Sequence, residues 1–208
     1  MKVLIISGFL GAGKTTFIRE LIRRTDKRLV ILENEYGSAD VDQQVIREDK
    51  QADVWDLTEG CICCTKSADL NASVMTIEST LQPEYLVIEP SGVGALSNVI
   101  RNLRKIEYER ITLLSPLTIV DAEHFARDSR AYADIYHDQI STAGTVVISK
   151  PEHPESELFA SVENGVRELN PNAVVLPQHY TRMPQEWWDA LLTTAYDGGR
   201  LNQVEEAS

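Results

Sequence analysis

Residues 3–15 read Val3-Leu4-Ile5-Ile6-Ser7-Gly8-Phe9-Leu10-Gly11-Ala12-Gly13-Lys14-Thr15: a short apolar run, then G-x-x-x-x-G-K-T, then a stretch at 15–24 with helical spacing. A strand passing through a Gly-rich turn into a helix is the setting in which backbone N–H groups wrap a phosphate. Glycine allows the close turn, and the helix start supplies unpaired donors. In this pattern Lys14 places a point charge on the β and γ phosphates and the Thr15 hydroxyl coordinates magnesium, while Gly8, Gly11, Ala12, Gly13 and Thr16 complete the cradle.

Working outward, apolar runs rich in Val, Ile and Leu recur at 3–6, 29–32, 85–88, 113–120, 145–148 and 173–176, and a further strand-like stretch lies at 54–57. Near-continuous apolar character at strand length marks strands covered on both faces. Between them, 15–24, 67–81, 95–105, 131–140 and 156–169 carry helical spacing. Alternation of this kind predicts an α/β fold, a P-loop NTPase with a mostly parallel sheet and helices on both faces. Two connections break the rhythm, the acidic 34–52 and the cysteine-bearing 58–66, and long connections in a compact alternating fold are usually functional.

At roughly 150 residues per domain, 208 residues make one domain, expected over 1–196, with a flexible tail over 197–208. Twenty Lys plus Arg against 32 Asp plus Glu give a net charge of -12, which argues against a nucleic-acid or anionic-membrane partner. No apolar run approaches the ~18 to 20 residues of a membrane span. Cys61, Cys63 and Cys64, an odd number within four positions, do not form a secreted disulfide framework, and the reading is cytoplasmic.

A phosphate loop needs an acidic partner to position magnesium. The run at 85–88 ends in Glu89-Pro90-Ser91-Gly92. This predicts Glu89 in the magnesium shell and a Gly92 N–H on the γ-phosphate. After the run at 145–148 comes Ser149-Lys150-Pro151-Glu152, where GTPases carry N-K-x-D. A carboxylate there accepts guanine N1–H and N2–H together while the Lys stem packs on the base. Glu152 is one methylene longer than Asp and Ser149 lacks the amide; guanine is the favoured base, with a surface turn and adenine read elsewhere as the alternative.

Cys61-Ile62-Cys63-Cys64 crowds three thiols into one loop. Thiolates select zinc and other borderline ions, and a fourth ligand must come from elsewhere, with Glu33-Asn34-Glu35 offering carboxylates. Buried small hydrophobes or a redox role are the other readings of such cysteines.

Gly8 to Thr15, Glu33-Asn34-Glu35-Tyr36-Gly37, Gly60-Cys61-Ile62-Cys63-Cys64, Glu89-Pro90-Ser91-Gly92 and Val120-Asp121-Ala122 together resemble the CobW-like metallochaperone GTPases, grouped with HypB and UreG, over about residues 2–180. The resemblance implies GTP hydrolysis coupled to delivery of zinc, cobalt or nickel, or to upkeep of a metal-cofactor enzyme. It also implies that Glu35, Cys63 and Cys64, with Cys61 beside them, form the transition-metal set. It implies that Asp42 is a switch aspartate near magnesium and that the partners are a guanine nucleotide, a client metalloenzyme or corrinoid protein, and a second copy in a nucleotide-dependent homodimer. Many relatives carry a second domain, often with a His-rich tract, for which this chain ends too soon. Its four histidines, His124, His137, His153 and His179, are scattered, and only His124, just past Val120-Asp121-Ala122-Glu123, is kept as a metal contact. Two competing readings stay open: a small-molecule kinase using the same loop, with the basic 101–110 stretch as a lid, and a non-catalytic metal or redox sensor.

Overall fold

The computed structural model describes residues 1–33, 52–56, 67–108, 110–150, 156–176 and 178–198. Its described strands are β1 (Lys2–Gly8), β2 (Leu29–Glu33), β3 (Ala52–Asp56), β4 (Tyr85–Glu89), β5 (Thr112–Leu113), β6 (Leu117–Asp121), β7 (Thr145–Ser149) and β8 (Val174–Val175). Its helices are α1 (Lys14–Arg24), α2 (Ser67–Leu81), α3 (Leu96–Arg104), α4 (Phe125–Ala131), α5 (Ala133–Thr142), α6 (Ser156–Leu169) and α7 (Gln185–Leu191). The strands pair in the order β3-β2-β4-β1-β6-β7-β8, with β5 also on β1. Every ladder between them is parallel, as the alternating pattern predicts.

The period of two along each strand explains the two-sided core. Val3, Ile5, Val30, Leu32, Leu86 and Ile88 face one layer, with Val74, Ile77, Val99, Leu103, Ile140 and Val166 from α2, α3, α5 and α6. Leu4, Ile6, Leu29, Ile31 and Val87 face the other, against Phe17, Ile18, Leu21 and Ile22 of α1 and Trp188 of α7. There Phe17 sits 5.0 Å from the Tyr180 ring and 5.3 Å from Trp188.

Two expectations need correction. The run at 113–120 is not one strand: β5 pairs the start of β1 (Lys2 with Thr112) and β6 its end (Ile6 with Leu117). Pro116 interrupts it, and the Ser115 N–H donates to the Thr194 carbonyl while Tyr196 N–H donates to Leu113, so a later segment takes the ladder positions. The helix expected at 131–140 begins earlier, as α4, and restarts as α5 after Tyr132, whose φ of -130° and ψ of 45° break the run. The Tyr132 ring lies 4.7 Å from Phe9 of the phosphate loop, a contact that periodicity does not encode. Helix α7 went unassigned in the sequence. The expected tail over 197–208 lies, from 199 onward, outside the described residues.

β1 has β4 on one side and β6 on the other, so the strand order reverses at its carboxyl end. In an open parallel sheet that is where a ligand crevice forms. No described helix is long and apolar enough to cross a membrane.

Candidate nucleotide site

At that crevice the loop after β1 takes the conformation its glycines allow. Gly8, Gly11 and Gly13 hold φ of 150°, 72° and 94°, and Gly13 caps α1, whose first turn carries no acidic side chain. The N–H groups of the first turn and the positive end of the helix dipole therefore face the loop. Thr15 and Thr16 lie in the first turn of α1, and Ala12 of the loop is buried.

A Cβ on Gly8 would stand 2.5 Å from the Ile119 carbonyl oxygen. Gly8→Ala is expected to force β1 and β6 apart and to destabilise the fold by about 3 kcal/mol or more, read as a fall in unfolding midpoint. A melt equal to wild type would show that β6 shifts freely.

Lys14 and Glu89 are both buried, with Nζ 3.8 Å from Oε1, and the ammonium also lies 3.5 Å from the Phe9 carbonyl. The parallel register lines up Asp56, Glu33 and Glu89 at neighbouring strand ends. The Thr15 hydroxyl and the Glu89 carboxylate are hard oxygen donors of the type magnesium takes, and both stand at this end of the sheet. Gly92 closes the site from the β4 side: a Cβ there would meet Leu10 N at 2.7 Å and Leu10 Cα at 3.0 Å. Gly92→Ala is accordingly expected to displace the Leu10 backbone and lower GTP turnover at least tenfold, with GDP affinity falling as well because Leu10 belongs to the phosphate loop, measured by single-turnover hydrolysis and GDP titration.

The Ser149-Lys150 segment at the end of β7 reaches the phosphate loop directly. Ser149 Oγ donates to the Ala12 carbonyl at 2.7 Å, and Lys150 Nζ donates to the Gly11 carbonyl at 3.1 Å. Lys150 adopts φ of 39°, an uncommon left-handed conformation for a residue with a Cβ. Asp121, at the end of β6, supplies what the sequence reading missed. Its Oδ2 lies 3.4 Å from Lys150 Nζ and 2.8 Å from His124 Nδ1, and its Oδ1 accepts the Glu123 N–H at 2.9 Å. Burial pushes the Asp121 carboxyl up, but the His124 hydrogen bond, the Lys150 charge and the Glu123 N–H together hold it below the ordinary carboxylate range. The available signals were its place at the carboxyl end of a buried strand and its membership of the Val120-Asp121-Ala122 motif, to which no role had been attached.

Asp121, Glu123 and His124 offer ligand atoms within 4.8 Å of one another, and the His124 ring nitrogen there is bonded to Asp121 Oδ2. The Lys150 ammonium already shares that carboxylate. His179 packs on Tyr180, with ring centroids 4.2 Å apart, and bonds Thr181 Oγ1 at 2.9 Å; His137 is exposed. Within the basic stretch, α3 buries Val99, Ile100 and Leu103, and Arg104 stacks 5.8 Å over Tyr196, as in an amphipathic surface helix. Glu35, Asp42, Cys61, Cys63, Cys64, Glu152 and His153 lie outside the described residues.

The CobW/HypB/UreG nucleotide-binding domain matches residues 2–177. The chain belongs to this family. Among curated relatives of this CobW/HypB/UreG chain, the zinc chaperone YjiA of Escherichia coli K12 is 29% identical over 160 residues, covering 73% of the chain and 50% of the relative. The zinc chaperone YeiR of the same organism is 31% identical over 158 residues, covering 74% and 48%. The chain thus spans about half the length of these relatives. In fold it is similar to the Zn(II)-bound YjiA GTPase from E. coli, with a TM-score of 0.67 at 19% identity, covering 93% of this chain and 61% of the other. The shared α/β architecture with a parallel sheet is the P-loop GTPase fold.

Proposed function

We propose that this chain is a cytoplasmic guanine-nucleotide switch that hydrolyses GTP and controls a transition-metal site, acting as a metallochaperone toward a client metalloenzyme or corrinoid protein. The observation that carries the guanine assignment is the pair of bonds from Ser149 and Lys150 to the phosphate-loop carbonyls of Ala12 and Gly11. A base-reading segment docked on the phosphate cradle sets the distance between base and phosphates, with Glu152 as the acceptor for guanine. Lys14 holds the β and γ phosphates, Thr15, Asp42 and Glu89 hold magnesium, and Gly92 contacts the γ-phosphate. Magnesium, when bound there, would supply charge neutralisation on the phosphates.

The metal is cargo. Relatives carrying the name zinc chaperone support zinc. The donor set proposed for it, Glu35 with Cys61, Cys63 and Cys64, is of the borderline kind that also accepts cobalt and nickel. In the chain these residues follow β2 and β3, two strands of this sheet. A loop ordered by γ-phosphate and magnesium changes shape on hydrolysis, so metal affinity follows the nucleotide.

Competition of ATP and GDP for labelled GTP tests the nucleotide assignment. GDP is expected to compete at least tenfold better than ATP; equal affinities overturn the guanine reading. Ser149→Ala removes one brace of the cradle. It is expected to weaken both GTP and GDP by about 2- to 12-fold, the worth of one net hydrogen bond. Hydrolysis with no phosphorylated acceptor separates this reading from the kinase.

A further inference from the structure

The turn after Gly92 is fastened to α5 by two consecutive residues. The Gln139 side-chain amide, buried in the protein, donates from Nε2 to the Gly92 carbonyl at 3.1 Å and the Gly94 carbonyl at 3.0 Å. Asp138 accepts the Ser97 N–H at 3.1 Å and the Ser97 hydroxyl, placing a carboxylate on the first turn of α3, which has no side-chain cap of its own. The Gln139 main chain is in turn fixed by the Thr118 hydroxyl of β6, which donates to its backbone carbonyl at 2.8 Å. The Gly94 N–H donates to the Ser91 carbonyl at 2.8 Å, closing the turn.

The same turn meets the phosphate loop on its other side. Gly92 lies so close to the Leu10 backbone that no side chain fits between them. Its carbonyl, in the peptide that follows, is held by Gln139, and among the described residues the N–H of the preceding peptide has no hydrogen-bond partner, which leaves Gly92 one main-chain donor beside Leu10 of the phosphate loop. A buried amide with both hydrogens on two carbonyls of one turn fixes the turn's orientation more tightly than a single bond, because each donor restricts a different peptide plane.

We propose that Gln139 is a positioning residue for γ-phosphate recognition: its amide aims Gly92 at the nucleotide, and α5 is the element through which that turn is held or released. The proposal rests on the reading of Gly92 as the γ-phosphate contact. GDP lacks the γ-phosphate and does not engage this turn, so the role separates from general structural support. A purely structural Gln139 alters stability and treats the two nucleotides alike.

Gln139→Met, of similar length and without a donor, is the test in the full chain. The readouts are kcat and KM for GTP, the unfolding midpoint, and affinities for GDP and a non-hydrolysable GTP analogue with magnesium. The expected result is a kcat at least tenfold lower and an analogue-to-GDP affinity ratio at least fivefold lower, with GDP affinity within twofold of wild type. A lower midpoint with an unchanged ratio, or equal weakening of both nucleotides, overturns the proposal. If Gln139→Met does not fold, Gln139→Asn, which keeps the amide but withdraws it by one methylene, is judged by the same ratio. Gly92→Ala is measured alongside. A ratio lowered by Gly92→Ala but not at Gln139 removes the clamp alone, and a ratio indifferent to both removes the γ-phosphate reading of Gly92 together with the clamp.

Discussion

Lys14→Ala is expected to reduce GTP hydrolysis by about 10²- to 10³-fold, because it deletes the one side-chain cation that the loop places where charge develops on the transferring phosphoryl group. Nucleotide affinity should fall by about 10- to 150-fold, the value of a hydrogen bond from a charged group. The fold should survive. The packing of α1 on the sheet comes from Phe17, Ile18, Leu21 and Ile22, all at most 2% exposed, which the substitution leaves in place. A secondary effect follows from geometry: Glu89 is buried with its Oε1 3.8 Å from the Lys14 ammonium, so the variant keeps a buried carboxylate that has lost that cation. Part of the deficit should therefore be recovered by Lys14→Ala/Glu89→Gln in thermal stability but not in turnover. Circular dichroism with single-turnover hydrolysis checks both arms, and undiminished turnover in a folded Lys14→Ala protein would end the assignment of the loop.

The second large effect concerns the metal. If γ-phosphate and magnesium order the segments that carry Glu35, Cys63 and Cys64, one divalent transition metal should bind more tightly with a GTP analogue than with GDP, by about 5- to 150-fold. Linkage makes the effect reciprocal, so the metal should tighten the analogue by the same factor. Thiols must become thiolates to bind, so binding should release protons and weaken as pH falls through the thiol range. Replacing Cys63 and Cys64 together by Ala should remove the site and leave nucleotide affinity of the metal-free protein within about twofold, since the phosphate cradle is built from 8–16. A competing chelator titrated against zinc in both nucleotide states measures the factor. Equal affinities would overturn the switch and leave the nucleotide assignment standing; they are what a nucleotide-independent sensor predicts.

A smaller pH effect belongs to Asp121. Its folded carboxyl lies below the ordinary range, so the stabilisation it contributes is present above the unfolded carboxylate value and is lost as pH falls through the lower, folded one. At neutral pH the carboxylate is charged and Lys150 keeps its partner. Asp121→Asn should thus loosen Lys150 and weaken guanine nucleotides at pH 7 without a change in the nucleotide's own protonation.

Local order was readable wherever neighbours in sequence are also partners in space. The apolar runs gave β1, β2, β4 and β7 because a strand buried on both faces must be apolar at successive positions. The G-x-x-x-x-G-K-T stretch gave the loop because the backbone path itself demands those glycines: φ of 72° at Gly11 and 94° at Gly13 are left-handed values that side chains disfavour. Family membership was also legible, since its motifs sit at the ends of those runs and match residues 2–177.

Other features depended on groups far apart in the chain. Ser149 and Ala12 are 137 residues apart, and Lys150 and Asp121 are 29 apart, yet their bonds tie the end of β7 to the phosphate loop and to the end of β6. The division of 113–120 follows from where the Thr194 to Tyr196 backbone bonds, and the break at Tyr132 follows from a ring packed on Phe9. Gln139 reads as an ordinary polar residue on an amphipathic helix; only folding buries it against two carbonyls 45 and 47 residues earlier. The sequence by itself determined the strand-loop-helix that grips phosphate, because that conformation is set by residue-level φ preferences and local apolar patterning. The tertiary structure alone decided what braces the grip, because a hydrogen bond between distant segments depends on which strands become neighbours, and strand order is a property of the whole sheet.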